Sequence, residues 1–252
     1  DDPLYVYQNA HVLSGLNWSG WCYAWTTLDH ANWHPLTWLS LELDSSLFGV
    51  RPSGYHVTNL CLHLVNGLVL FGLLSNLTGC LYRSWFVAAL FLLHPLHVES
   101  VAWVSERKDV LYTFFFLLSL LQYWKFLQQG KRAALWTSLL LFALSLLSKP
   151  AAIILPGVLL LLDYWKGRKW TAPVWMEKIP FFLLSLLFVV ITLRTQTSDA
   201  AVVKLDTYPV WVRPVFASYT YMIYLVRFFI PYPLSAFHPY PEVGHLGWPF
   251  LI

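Results

Sequence analysis

VTNLCLHLVNGLVLFGLLSNL, running from Val57 to Leu77, contains no Asp, Glu, Lys or Arg, and none occurs anywhere between Arg51 and Arg83. At about 1.5 Å of rise per residue, a helix of this length crosses the ~30 Å hydrocarbon core of a bilayer. His56, Asn59, His63 and Asn66 punctuate it, and polar groups on a membrane helix are expected to face protein rather than lipid. The whole chain agrees with such a helix. Of its 252 residues, 58% are hydrophobic and 12% charged, where a soluble domain carries roughly 25% charged residues. That supply cannot coat a soluble core, which disfavours a soluble globule, a disordered chain and a disulfide-stapled secreted domain. The expected fold class is all-α, a polytopic transmembrane helix bundle.

Further apolar segments follow at about Ser84–Leu93, Val110–Leu127, Ala133–Leu147, Ala151–Trp165, Ile179–Leu193 and Val215–Ile230, giving about seven membrane segments over residues 57–252. Several have charge-free cores short of the ~20 residues needed to cross, Ala151–Leu162 most of all. Lys149-Pro150 breaks the chain before it, because proline cannot continue a helix without losing a hydrogen bond. Upstream, residues 1–55 are too polar to span and read as a loop. Within that loop Leu36, Leu39, Leu43 and Leu47 recur at helical spacing opposite Thr37, Ser40 and Asp44, between Pro35 and Gly49, which suit a helix start and stop. This predicts a short helix lying in the interface, or one packed on other loops. Asp1 opens in polar sequence and Trp248–Ile252 begins another apolar stretch, so a single domain truncated at both ends is expected.

Lys131 and Arg132, then Lys166, Arg168, Lys169 and Lys178, share one side with Arg83. The positive-inside rule makes that side cytoplasmic. Residues 1–55, His94–Asp109 and Ser148–Pro150 then fall on the outer side. A net charge of +3 without a basic stripe disfavours nucleic acid. Three cysteines without a CxxC disfavour a disulfide framework or a cysteine zinc site.

Ionisable groups wedged between apolar helices are costly, so they demand an explanation. Three outer-side sets qualify. Asp1 and Asp2 are adjacent carboxylates, either a solvated pair or a general base raised towards neutrality by an apolar surface. His94-Pro95-Leu96-His97-Val98-Glu99 leads to Glu106-Arg107-Lys108-Asp109. There Arg107 and Lys108 either pair with Glu106, Asp109 or phospholipid, or bind an anionic head group. His97 and Glu99 alone make a weak metal signal. Lys149 is a lone cation at a helix break, either snorkelling or binding phosphate.

Asp1-Asp2-Pro3-Leu4-Tyr5-Val6, Asn9, Val12, Gly15-Leu16, Trp33-His34-Pro35-Leu36-Thr37, Gly54-Tyr55-His56, Asn59, Leu62-His63, Leu93-His94-Pro95-Leu96-His97-Val98-Glu99-Ser100-Val101-Ala102 and Leu147-Ser148-Lys149-Pro150 occur in this order. The sequence resembles bacterial relatives of the transmembrane and tetratricopeptide-repeat O-mannosyltransferases, polytopic glycosyltransferases of the GT-C superfamily, over nearly its whole length. The first helix and the C-terminal repeats typical of that family are expected to be missing from this stretch of sequence. The resemblance implies a GT-C-like bundle, a polyprenyl-phosphate-linked sugar as donor and a hydroxyl acceptor on protein or glycan. It also implies an active site on the outer face, here the periplasmic side of a bacterial inner membrane.

The family's acidic catalytic residue after the first helix matches Asp1 and Asp2. With Glu99 they are the candidate catalytic residues. Arg107, Lys108 and Lys149 are the candidate ligands of the donor phosphate, and His34, His94 and His97 would orient the substrate. No metal and no cofactor are expected. A transporter or flippase of a lipid-linked sugar, or a scaffold without chemistry, is the other class of reading. A transporter would carry polar residues along several helices at mid-membrane depth. Outside His63 and Asn66 they gather here at one face.

Overall fold

Pro52 at a first turn and Gly79 just past a last one bound the helix predicted around Val57–Leu77. A computed structural model of the chain, which describes residues 2–28, 32–198 and 212–232, places it as α4, Pro52–Thr78. Gly79 takes φ 66° there, the left-handed conformation that closes a helix end. Around α4 every regular element among the described residues is helical. Before it come a π-helical turn, Pro3–Tyr7, then α1, Ala10–Leu13, α2, Trp18–Thr26, and α3, Pro35–Phe48. After it come α5, Leu81–Leu93, the short α6, Val98–Ala102, then α7, Arg107–Gln129, and α8, Arg132–Ser148. A 3₁₀ turn, Pro150–Ile154, leads to α9, Leu155–Trp165, and α10, Ala172–Ser198. These lie in one unit, Asp1–Asp199; a second unit, Ala200–Ile252, contains α11, Val212–Phe229.

Among the described residues three helices are long and apolar enough to cross a membrane: Pro52–Thr78, Val104–Gln129 and Ala172–Thr197. A fourth is made if Leu81–Leu93 and Pro95–Ala102, bent by 51°, form one span. The chain is an integral membrane protein. Arg132–Ser148 and Pro150–Trp165 are shorter apolar helices, in keeping with the short charge-free cores read from the sequence. Leu60, Leu64 and Leu68 on α4, and Leu183, Leu186 and Leu187 on α10, point outward, as lipid-facing rows should.

Inside, α4, α7, α8, α9 and α10 share an apolar core that includes Leu73, Tyr123, Phe142, Leu155 and Phe181. A second core at one end joins Tyr5, Val12, Ala24, Trp38, Tyr55 and Val104. The polar residues of α4 do face protein at Asn59, His63 and Asn66, all buried, whereas His56 is exposed. They hold backbone carbonyls on either side of and within the breaks between α5 and α7. The Asn59 amide donates to the carbonyls of Val101 and Trp103 at 3.2 and 3.1 Å. That of Asn66 donates to the Val110 carbonyl at 2.8 Å, and His63 Nε2 lies 3.2 Å from the Leu92 carbonyl. A broken helix at membrane depth needs such partners, because lipid offers none.

Candidate active site

Asp2 heads the Pro3–Tyr7 turn but gives it no side-chain bond. Its carboxylate reaches the start of the helix Val104–Gln129, about a hundred residues away. Oδ1 accepts the Ser105 N–H at 2.7 Å and Oδ2 the Val104 N–H at 3.4 Å. The first N–H groups of a helix have no partner within it and carry partial positive charge, so a carboxylate is a natural occupant. Immediately downstream the chain delivers Glu106, Lys108 and Asp109. Lys108 pairs with Glu106 at 3.0 Å, and its ammonium lies 5.3 Å from the ring centroid of Tyr5. Lys149, presented at the break between α8 and the Pro150 turn, pairs with Asp109 and lies 3.6 Å from Glu106. Ser100 donates to Asp109 Oδ2 at 3.3 Å. Burial alone would lower the Lys149 ammonium's pKa, but the Asp109 and Glu106 carboxylates outweigh it and hold the group above its ordinary value. Burial, then the charge of Glu106, pushes the Tyr5 phenol upward, so it stays a neutral platform under Lys108.

Behind this rim the aromatic rings are layered. Tyr5 stacks on Trp38 at 4.8 Å and on His34 at 5.9 Å, and His34 stacks on Trp38 at 5.3 Å. The α3 helix that carries Trp38 is tied to the Lys149 corner by Thr37, whose hydroxyl donates to the Ser148 carbonyl at 2.8 Å.

Asp2, Lys108 and Lys149 thus meet at one rim, together with Glu106 and Asp109. Arg107 points elsewhere. It is 0% exposed, and its guanidinium pairs with Asp44 at 2.5 Å and donates to Asn59, to Ser40 at 2.8 Å and to the Tyr55 carbonyl at 3.0 Å. Asp44 also accepts from Thr58 at 2.9 Å. The guanidinium is enclosed by these partners, and what it offers the rim is the placement of its neighbours. Glu99 is exposed on α6, and its carboxylate makes no bond among the described residues. His94 Nδ1 accepts the Leu96 N–H at 3.3 Å, capping a turn. His97 lies 4.6 Å from Phe91 and 5.6 Å from His63, ring to ring. His34 belongs to the rim's aromatic floor. Asp1 and Trp248–Ile252 lie outside the described residues.

Among the described residues no three His, Cys, Asp or Glu side chains converge as a metal site would require. The rim offers instead two ammonium groups, three carboxylates and a pair of helix-start N–H groups. Such a set can hold an anionic head group while a carboxylate takes a proton. The sequence reading passed over Tyr5, Asp44 and Glu42. A buried arginine demands an acid, and Asp44 on the polar face of residues 36–47 was the available one. Glu42 is fully buried, and among the described residues neither of its carboxylate oxygens is hydrogen-bonded. Nothing in its local sequence distinguishes it from a surface glutamate.

Comparison with known proteins gives the relationship. The chain is similar to protein O-mannosyl-transferase TMTC2 of Homo sapiens, 33% identical over 144 residues, which are 54% of this chain and 17% of the relative. With Tmtc2 of Drosophila melanogaster it shares 30% identity over 181 residues, 66% of this chain and 19% of the relative. With TMTC3 of Mus musculus it shares 28% over 192 residues, 70% of this chain and 20% of the relative. The chain is a relative of the TMTC-type protein O-mannosyl-transferases, and it spans about a fifth of the length of the curated relatives it matches. No family model and no solved structure matches it.

Proposed function

We propose that the rim is the catalytic centre of a membrane glycosyltransferase of GT-C type, which moves a sugar from a polyprenyl-phosphate carrier to an acceptor hydroxyl, on protein by analogy with the names of the relatives. The observation that carries this reading is the meeting of Asp2, Lys108 and Lys149, from three distant parts of the chain, beside an apolar bundle that a lipid carrier can lie against. The acceptor hydroxyl attacks the anomeric carbon and Asp2 takes its proton. The bond from that carbon to the carrier phosphate oxygen breaks, and the polyprenyl monophosphate leaves with the electron pair. Lys149 and Lys108 hold the charge gathering on the phosphate; stabilisation of this kind is often the largest catalytic contribution. Glu106 and Asp109 keep the two ammonium groups charged and in place between turnovers. His34 acts through the Tyr5 platform, while Glu99, His94 and His97 line the route by which the sugar or acceptor approaches. The same proposal makes residues 1–252 one catalytic domain with the rim facing outward, across a bacterial inner membrane.

The test is sugar release from a polyprenyl-phosphate donor carrying a labelled sugar, in membranes that contain the protein. Asp2→Asn should lower the rate by roughly 10²–10⁴-fold, the usual contribution of a general base. Lys149→Gln should lower it by roughly 10²-fold or more. Movement of intact donor across the membrane without cleavage would make the protein a transporter. Undiminished transfer by Asp2→Asn would remove Asp2 from the base role.

A further inference from the structure

Ser105 presents an unmet hydrogen bond at the rim. The residue is buried and its hydroxyl has no partner among the described residues, while its own N–H makes the shorter of the Asp2 bonds, 2.7 Å. The first two residues of the 26-residue helix Val104–Gln129 thus carry three donors, the Val104 N–H, the Ser105 N–H and the Ser105 hydroxyl, of which the two N–H groups meet Asp2. A carboxylate brings two oxygens, and Asp2 uses both on the two N–H groups. The third donor is left over. A phosphate monoester brings three terminal oxygens and a larger charge, and the helix start favours both. Lys108 and Lys149 stand over the next turn, their ion pairs among the described residues being with Glu106 and Asp109.

We propose that this helix start is a phosphate-monoester subsite which the Asp2 carboxylate fills in the ligand-free protein. Arrival of the phosphate displaces Asp2 and thereby frees it. The inference rests on the reading of the rim as a donor site and adds an order of events to it: the base is held on the anion site until the anion that must leave is seated. No bond is made or broken in the exchange. Two N–H groups change partner, the Ser105 hydroxyl gains one, and Asp2 turns to the acceptor.

The experiment uses the full chain in nanodiscs and measures the affinity of farnesyl phosphate, with inorganic phosphate and farnesol as parallel arms. Because wild-type ligand must first displace a bound carboxylate, Asp2→Asn should bind farnesyl phosphate about tenfold more tightly while losing sugar transfer. Ser105→Ala should bind it several-fold more weakly, as loss of a hydrogen bond to a charged group predicts, with an unchanged unfolding midpoint. Farnesol should not bind in a manner sensitive to either change. A cap with a purely structural role predicts the reverse for Asp2→Asn: a lower unfolding midpoint and unchanged or weaker phosphate affinity. That result, or indifference of affinity to Ser105→Ala, overturns the subsite. Inorganic phosphate binding as tightly as farnesyl phosphate would overturn the lipid as the source of the phosphate. If the affinity pattern holds and no sugar is transferred by the wild type, the proposed function fails and the subsite stands. If sugar is transferred and Asp2→Asn does not tighten binding, the subsite alone fails.

Discussion

Arg107 and Lys108 are neighbours in sequence and opposites in the structure. Successive residues of a helix point about 100° apart, so one guanidinium enters the packing of α3 and α4 while the next ammonium stays at the rim. Adjacent basic residues give no sign of this at the level of sequence, which is why both read equally well as phosphate ligands. A buried pair broken on one side leaves an uncompensated charge, so Asp44→Ala should destabilise the protein by about 3–5 kcal/mol. Replacing both partners, as Asp44→Leu with Arg107→Met, should cost less than the sum of the single changes. Unfolding midpoints of the detergent-solubilised variants check both statements. Glu42 makes a different prediction. Burial pushes its carboxyl up to about 7 from an ordinary 4.5, so between those values the folded state keeps a proton that the unfolded chain releases. Stability therefore falls as pH rises from about 4.5 to about 7 and stays lower above, by on the order of 3 kcal/mol. Glu42→Gln should remove that slope and be the more stable protein at pH 8, measured as unfolding midpoint against pH.

At the scale of the element, α3 shows how much a pattern says and what it leaves out. The spacing of Leu36, Leu39, Leu43 and Leu47 correctly indicates a helix with two unlike faces. In the structure Leu43 and Leu47 are 46% and 66% exposed, while Thr37, Trp38, Leu41, Glu42 and Asp44 are buried. Thr37 and Asp44 face inward because they hold the Ser148 carbonyl and Arg107, and Leu43 and Leu47 face outward because the medium expected there is the lipid interface. Periodicity finds faces; the surrounding solvent decides which one is hidden. The end of α3 is set by a close approach. A Cβ on Gly54 of α4 would fall 2.2 Å from Cγ and 2.5 Å from Cβ of Phe48, so Gly54→Ala must move the end of α3 away from α4. It should lower stability by about 1–3 kcal/mol, the usual cost of overpacking. It should also weaken the Arg107 lock that α3 and α4 share, which thermal unfolding and the yield of folded protein would report.

At the scale of the Asp1–Asp199 unit, the bundle has two polar ends and an apolar middle. The long charge-free run made α4 legible, and the lone Lys149 made one corner of the rim legible. The carboxylates Glu106 and Asp109, read as companions of the basic pair, are also the partners of Lys149, a meeting that local sequence does not encode. Native cysteines test the arrangement of the ends. Cys22 lies exposed on α2, which packs on α3 beside the start of α4, and Cys80 follows the last turn of α4. A membrane-impermeant thiol reagent should label Cys22 and Cys80 from opposite faces, and Cys61, exposed within the span, should resist it from both. Labelling of Cys22 and Cys80 from the same face would contradict a spanning α4.

The far end repeats the device seen at the rim with different chemistry. Lys178 of α10 pairs with Asp163 of α9 at 2.5 Å, all within the bundle, and the Tyr123 hydroxyl of α7 donates to the two Asp163 oxygens at 2.9 and 3.0 Å. Helix α7 is therefore held by Arg107 at one extremity and Tyr123 near the other, with the Asn66–Val110, Ser145–Tyr112 and Ser119–Ser138 hydrogen bonds spaced between them. Sliding it by a single turn, about 5.4 Å, would break all of these bonds at once. Among the motions open to α7, a shift of register along its own axis is therefore the one this bundle resists most strongly.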